Sequence, residues 1–288
     1  MRNRPNLFAV AVFILAISAS VFSQALPDKS VIVFGAKINY VETGDATKPT
    51  VIFLHGLGGS VGNWQTNTAA FAKDYHVIAL DQVGFGKSDK PNLKYRVATY
   101  VDFLDKFMTE LKIEKASLVG NSMGGWVAAL TAIKYPNRVE KIVLADAAGI
   151  VPANVPRDDL YQLNNSTRDE VKANMKRIFA NPLLQSNEAL VDQFMTARVT
   201  ANDGGTINSL IESIARKEDF LNDRLGEIKK PTLIIWGKQD GLLPVADATT
   251  FNKGIAGSEL VLFDQCGHVP QFEKALDFNK AVLSFLAK

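Results

Sequence analysis

A chain of 288 residues, 47% of them apolar, has enough hydrophobic mass for one large α/β domain or two ordinary ones. Its 32 basic and 30 acidic residues give a formal charge of +2 with no basic cluster, which excludes the electrostatic footprint of a nucleic-acid binder. The lone Cys266 excludes an internal disulfide, and His55, His76 and His268 share no spacing that fits a metal site.

Arg2 and Arg4 precede an apolar run from Leu7 to Phe22, and Ser23-Gln24-Ala25 follows. Charged, apolar and small residues in that order are the layout of a secretory signal peptide, here over residues 1–25 with cleavage after Ala25. The run is short for a permanent membrane span, so an uncleaved anchor is the weaker alternative. Cleavage would remove two arginines and leave a formally neutral periplasmic or secreted chain with no stable membrane span.

Val31 to Phe34 and Ile38 to Glu42 alternate around Gly35 and predict a hairpin. Val51 to Leu54 is a continuous apolar run, as expected of a strand covered on both faces. His55-Gly56-Leu57-Gly58-Gly59 follows, then a predicted helix from Trp64 to Lys73 and a strand over His76 to Leu80. Val101, Leu104, Phe107, Met108 and Leu111 form the stripe of an amphipathic helix. Ala116 to Val119 and Val139 to Ala145 read as further strands. Strands alternating with helices at this spacing predict an α/β fold, with a mainly parallel sheet and helices on both faces.

From about Pro152 to Leu225 only helical patterns remain. Thr167-Arg168-Asp169-Glu170 fits a capping box for a helix that Asn181-Pro182 would end. Asn187 caps the next, Gly204-Gly205 ends it, and Ile207 to Lys217 is the third. This stretch reads as a helical cap over 152–225, inserted between core segments 26–151 and 226–288. Strands resume at Thr232 to Trp236 and Glu259 to Phe263, flanking a helix near Val245 to Asn252, and a last helix runs from Pro270 to Leu286.

Gly120-Asn121-Ser122-Met123-Gly124-Gly125 sits between a strand and an apolar helix, the context of a nucleophile elbow. Such a tight turn strains Ser122 and lifts its hydroxyl clear of the sheet. Gly120 and Gly124 are required because a Cβ there would strike the neighbouring strand or helix. A serine that attacks an acyl carbon needs a base for its proton and an acid to fix that base's tautomer. Asp240 and His268 follow successive late strands, in the chain order Ser, Asp, His. They are the expected acid and base; Asp146, at the end of an earlier strand, is the rival acid. Met123 N–H and Leu57 N–H are the expected oxyanion donors. His55 is read as a brace for its loop, Asp81 as ordering its own loop, and His76 as a structural residue without polar company.

Taken together, the His55 to Gly59 loop, Asp81 to Asp89, the Ser122 elbow, Gly237 to Asp240 and Gly267-His268 resemble an α/β-hydrolase with a single cap. The resemblance spans nearly the whole mature chain, the cap excepted, and implies a serine hydrolase that needs no cofactor. Ser122 argues against the members that use a carboxylate nucleophile. Two branches resemble it further. Lipases and carboxylesterases are often exported and cleave small-molecule esters with an apolar part. Carbon–carbon hydrolases of aromatic ring-cleavage products are similar at Asn121, at Cys266-Gly267-His268 and at Gln271-Phe272-Glu273. That branch carries a cap arginine for the substrate carboxylate, which Arg198 could match, with Asn121 also against the substrate. Arg198 could equally pair with a nearby acid and stabilise the cap. Val269, where those enzymes carry tryptophan, and the leader-like N-terminus favour the ester reading. A different class, a receptor that binds without turnover, would have no need of Ser122, Asp240 and His268 in register.

Overall fold

In the computed structural model of the protein, residues 26–151 and 160–288 are described. The leader expected over 1–25 and the start of the helical insertion, 152–159, lie outside the described residues.

The hairpin forms as expected. Strand β1 (Lys29–Val33) pairs antiparallel with β2 (Ala36–Thr43) through a two-residue turn. Phe34 and Gly35 have φ of 49° and 81°, so both central residues are left-handed, as a turn that follows the strand twist requires. The remaining strands are β3 (Thr50–Leu54), β4 (His76–Leu80), β5 (Ala116–Asn121), β6 (Val139–Ala145), β7 (Thr232–Gly237) and β8 (Glu259–Phe263). The eight form one sheet in the order β1-β2-β4-β3-β5-β6-β7-β8. From β4 to β8 every pairing is parallel.

Strand alternation divides the core in two. Ile52, Leu54, Ile78, Leu80, Leu118 and Leu144 face helices α2 (Val97–Glu110) and α3 (Met123–Lys134). Val51, Phe53, Val77, Val119, Val143 and Ile235 face α1 (Thr68–Phe71) and the last helix. Both faces are therefore dry, which explains the uninterrupted apolar runs in the sequence.

Two predicted helices change shape. In place of Trp64 to Lys73 there is a 3-10 turn over Val61–Trp64, then the single turn of α1. Ser60 caps the turn, and Asn67 breaks the register by donating its amide to Gln271 O at 3.1 Å and Asn279 Oδ1 at 2.8 Å. The terminal helix is split at Lys274, whose φ of −128° and ψ of 41° are not helical.

The insertion is helical where it is described. Thr167 and Glu170 cap each other at the start of α4 (Arg168–Ile178), as the capping box predicted. A turn, α5 (Pro182–Gln185), leads to α6 (Glu188–Ala201), capped by Asn187. Asn202, at φ 51°, ends α6. Gly204-Gly205 does not end it; these residues open α7 (Gly204–Ala215). Ile207, Leu210 and Ile211 of α7 join the main core, whereas Val171, Met175, Phe179 and Val191 bury one another in a small separate cluster. The chain closes with α8 (Val245–Gly254), α9 (Pro270–Glu273) and α10 (Ala275–Leu286). Among the described residues no helix is long and apolar enough to cross a membrane.

Candidate active site

Strand β5 delivers Ser122 into the turn with φ 56° and ψ −121°, a conformation that costs a non-glycine residue roughly 1–3 kcal/mol. Backbone bonds hold it there. Ser122 N donates to Ala145 O at 3.0 Å, and its carbonyl accepts from Gly125, Trp126 and Ala148. A Cβ on Gly120 would lie 2.2 Å from Gly124 O, and one on Gly124 would lie 2.1 Å from Leu54 O. The steric need for both glycines is met in this structure.

The loops after β7 and β8 bring Asp240 and His268 together. His268 Nδ1 lies 2.8 Å from Asp240 Oδ2, and the Asp240 side chain is fully buried. Asp240 Oδ1 also accepts from Leu242 N at 2.7 Å and Leu243 N at 3.0 Å. Burial works to raise the Asp240 carboxyl, but the His268 charge and these donors outweigh it and hold the group below its ordinary value. An ionised Asp240 accepts the Nδ1 proton, so the Nε2 lone pair of neutral His268 is left to act as a base.

Asn121 ties the two loops to each other. Its amide donates to His268 O at 3.0 Å and to Ala145 O at 3.1 Å, from a buried position. Both amide hydrogens are committed to backbone carbonyls, so the substrate contact expected of Asn121 would fall to its Oδ1. The next residue, just past β5, is Ser122, so the bond fixes the serine and histidine loops to one strand end.

The loop after β3 lies against the elbow. A Cβ on Gly56 would come within 3.1 Å of Ser122 Cβ. His55 braces this loop: Gln82 N donates to its Nε2 at 3.0 Å, so its Nδ1–H donates to Gly56 O at 2.7 Å. Desolvation lowers the His55 pKa and keeps the imidazole neutral. Leu57 N–H and Met123 N–H find no protein acceptor among the described residues. Asp81 orders the neighbouring loop by accepting from Val61 N, Lys87 N and Asn39 Nδ2.

Arg198 lies on α6 with its Nη1 3.5 Å from the position of a Gly58 Cβ. It does not stand free. Nη1 donates to Asp203 Oδ1 and Nη2 donates to Asn164 Oδ1 at 2.6 Å. Of the two expectations for this arginine, the structure shows the ion pair. Asp203, fully buried at the cap of α7, was not singled out from the sequence; its position five residues after Arg198 was the available signal. Glu273, quoted from the sequence only for its resemblance to the carbon–carbon hydrolases, has a role that was not assigned there. Its carboxylate accepts from Gly267 N at 2.7 Å, Ala180 N at 2.9 Å and Asn181 N at 3.1 Å, clamping the histidine loop to the insertion. His76 is also corrected, since its ring contacts Glu42 Oε1 at 2.5 Å and Thr50 Oγ1 at 3.1 Å.

Asp146, Asp240 and His268 each offer one atom within 4.8 Å of the others. A cation there would have to displace the His268–Asp240 bond, so this donor set does not fit a resident metal.

An alpha/beta hydrolase fold model matches residues 49–275. The chain belongs to the α/β-hydrolase family. It is 34% identical, over 269 residues, to the 2-hydroxy-6-oxononadienedioate/2-hydroxy-6-oxononatrienedioate hydrolase of Klebsiella pneumoniae, covering 88% of this chain and 91% of that one. It is also 33% identical over 250 residues to the dihydrolipoyllysine-residue acetyltransferase component of the acetoin cleaving system of Cupriavidus necator, of which it spans 65%. Among solved structures, a meta-cleavage product hydrolase from Pseudomonas fluorescens superposes with a TM-score of 0.82 at 30% identity, over 90% of this hydrolase and 97% of that chain. A bacterial membrane phospholipase A gives 0.79 at 29% identity, over 91% and 86%.

Proposed function

We propose that this α/β-hydrolase is an exported serine hydrolase that cleaves carboxylic esters through an acyl-enzyme. The observation that carries the reading is the 2.8 Å bond between His268 and buried Asp240, at the sheet end where Ser122 is held in its strained turn. Ser122 Oγ attacks the ester carbonyl as His268 Nε2 takes its proton. The tetrahedral oxyanion is received by the N–H groups of Leu57 and Met123, each such donor being worth roughly 2.7–4 kcal/mol in acyl transfer. His268 then returns the proton to the leaving alcohol, and water, activated by the same imidazole, releases the acid. No cofactor enters these steps.

The state of Arg198 supports an ester without a free carboxylate near the cap. Its charge is met by Asp203, so it is not free to receive a substrate carboxylate. A second reading has its own support, and the comparisons favour it: a ring-cleavage-product hydrolase relative is 34% identical over 88% of this chain. In that reading the same serine attacks a ketone and the leaving group is a carbon acid. Steady-state rates on p-nitrophenyl butyrate and on a meta-cleavage dienoate, with wild type and Ser122→Ala, decide between them. We expect ester turnover that Ser122→Ala abolishes; faster turnover of the dienoate would establish the second reading, and full activity in Ser122→Ala would refute both. Export rests on the leader-like residues 1–25 and is tested by the N-terminal sequence of the protein recovered from periplasm or medium.

A further inference from the structure

Asp146 is a buried acid that the reaction above does not use. It sits just past the end of β6, fully buried, with φ 43°, a left-handed conformation that is uncommon for residues other than glycine. Ile235 O fixes its N–H at 2.9 Å, and its Oδ1 accepts from Gly237 N at 2.9 Å. Its Oδ2 is buried and receives no hydrogen bond from any donor among the described residues. Yet Asp146, Asp240 and His268 present atoms within 4.8 Å of one another. Two buried carboxyls this close cannot both carry charge at modest cost, so one holds a proton.

Which one holds it follows from the donors. Asp240 accepts three hydrogen bonds, from His268 Nδ1, Leu242 N and Leu243 N. Asp146 accepts one. The titratable groups that face Asp146 are Asp240 beyond β7, Cys266 and His268 beyond β8, and Glu273 on α9. Desolvation, then the Asp240 charge, push the Asp146 carboxyl well above its ordinary range.

We propose that Asp146 is a positioning residue: a neutral carboxylic acid whose O–H donates to Asp240 and holds that carboxylate in line with His268. The proton neither leaves nor moves during the reaction. Its effect is to fix the orientation of Asp240 and to moderate how strongly Asp240 holds the imidazolium. This role rests on the Ser122–His268–Asp240 assignment above.

The role distinguishes two substitutions. Asp146→Asn keeps a donor toward Asp240 and an acceptor for Gly237 N–H, so its kcat should stay within about twofold of wild type, with the pH profile unmoved. Asp146→Ala removes the donor. Its kcat should fall about tenfold at unchanged KM, and the acidic limb of kcat/KM should move to higher pH, because an unshared Asp240 holds the imidazolium more tightly. A role that only fills space would not move that limb. A direct readout does not depend on activity: the infrared difference spectrum of wild type against Asp146→Asn at neutral pH should contain the C=O stretch of a protonated carboxyl. Absence of that band, or an Asp146→Asn variant as impaired as Asp146→Ala, overturns the proposal. Ser122→Ala assayed alongside separates the two claims: activity retained there removes the triad, while the infrared band reports on Asp146 alone.

Discussion

At the carboxyl ends of β5, β6 and β7, buried hydrogen bonds cross from loop to loop: Asn121 to His268 O, Ser122 N to Ala145 O, Asp146 to Gly237 N and His268 to Asp240. Over the same end, α4 and α6 bury Val171, Met175, Phe179 and Val191 against each other and leave Val199 74% exposed. The two regions touch where α4 ends: His268 N donates to Ile178 O at 2.7 Å, and Gly241 N donates to Arg177 O at 2.9 Å. The α4 end of the insertion is thus pinned to the Asp240 and His268 loops, α7 is packed into the main core, and α4 and α6 bury only a small cluster of their own. The loops that carry Ser122, Asp240 and His268 are fixed by several mutually supporting bonds. On the proposed function, selectivity falls to α4 and α6, which share few of these bonds.

The largest expected effect of a single substitution lies on the sheet side. Gly124→Ala places a methyl 2.1 Å from Leu54 O, between two elements that cannot separate, and should cost more than about 3 kcal/mol of stability. Urea unfolding of the variant measures it; a loss under 1 kcal/mol would mean that the elbow yields more readily than its bonding implies.

On the cap side the expected effect is smaller and falls on selectivity as well. Asp203→Asn leaves Arg198 without its counter-charge and should destabilise the protein by about 3 kcal/mol. It should also raise kcat/KM for esters bearing an acidic group relative to neutral ones. Paired substrates read the second effect directly, and an unchanged ratio would remove the ion pair from the account of selectivity.

The smallest effect concerns Asp247 on α8, whose carboxyl is pushed up to about 6 by burial and then by the Asp240 charge. A folded-state value above the unfolded one favours the native state at low pH, and that contribution is lost as pH rises through about 6. Asp247→Asn should therefore raise the melting temperature by about 2 °C above neutral pH. Near the ordinary carboxylate pKa it should change nothing. A gain of equal size at both pH values would show that the charge is not the cause.

Much of the sheet was legible because its determinants are local. The apolar runs of β3 and β7 announce strands covered on both faces, and Gly120 and Gly124 announce a turn with no room for a side chain. The Thr167 capping box needed only four consecutive residues. What was not legible depends on distant partners. Asn67 interrupts a helix by bonding to Gln271 and Asn279, more than two hundred residues away. The bond from Asn121 to His268 O joins residues far apart in the chain, and His76 looked isolated until Glu42 and Thr50 were placed beside it. Gly204-Gly205 resembles a helix stop, yet Asn202 takes the left-handed position first. Asp203 was hidden for a similar reason, since only the fold shows that an acid at the start of α7 turns back onto α6.

The central claim is that Ser122 forms a covalent acyl intermediate with His268 as its base. Its most direct test is intact-protein and peptide mass spectrometry after a fluorophosphonate and after an acid-quenched p-nitrophenyl ester. The account predicts one adduct per chain, on the peptide containing Ser122, and none in His268→Ala on the same timescale. Ester turnover accompanied by an adduct on another residue, or by no adduct at all, would contradict it.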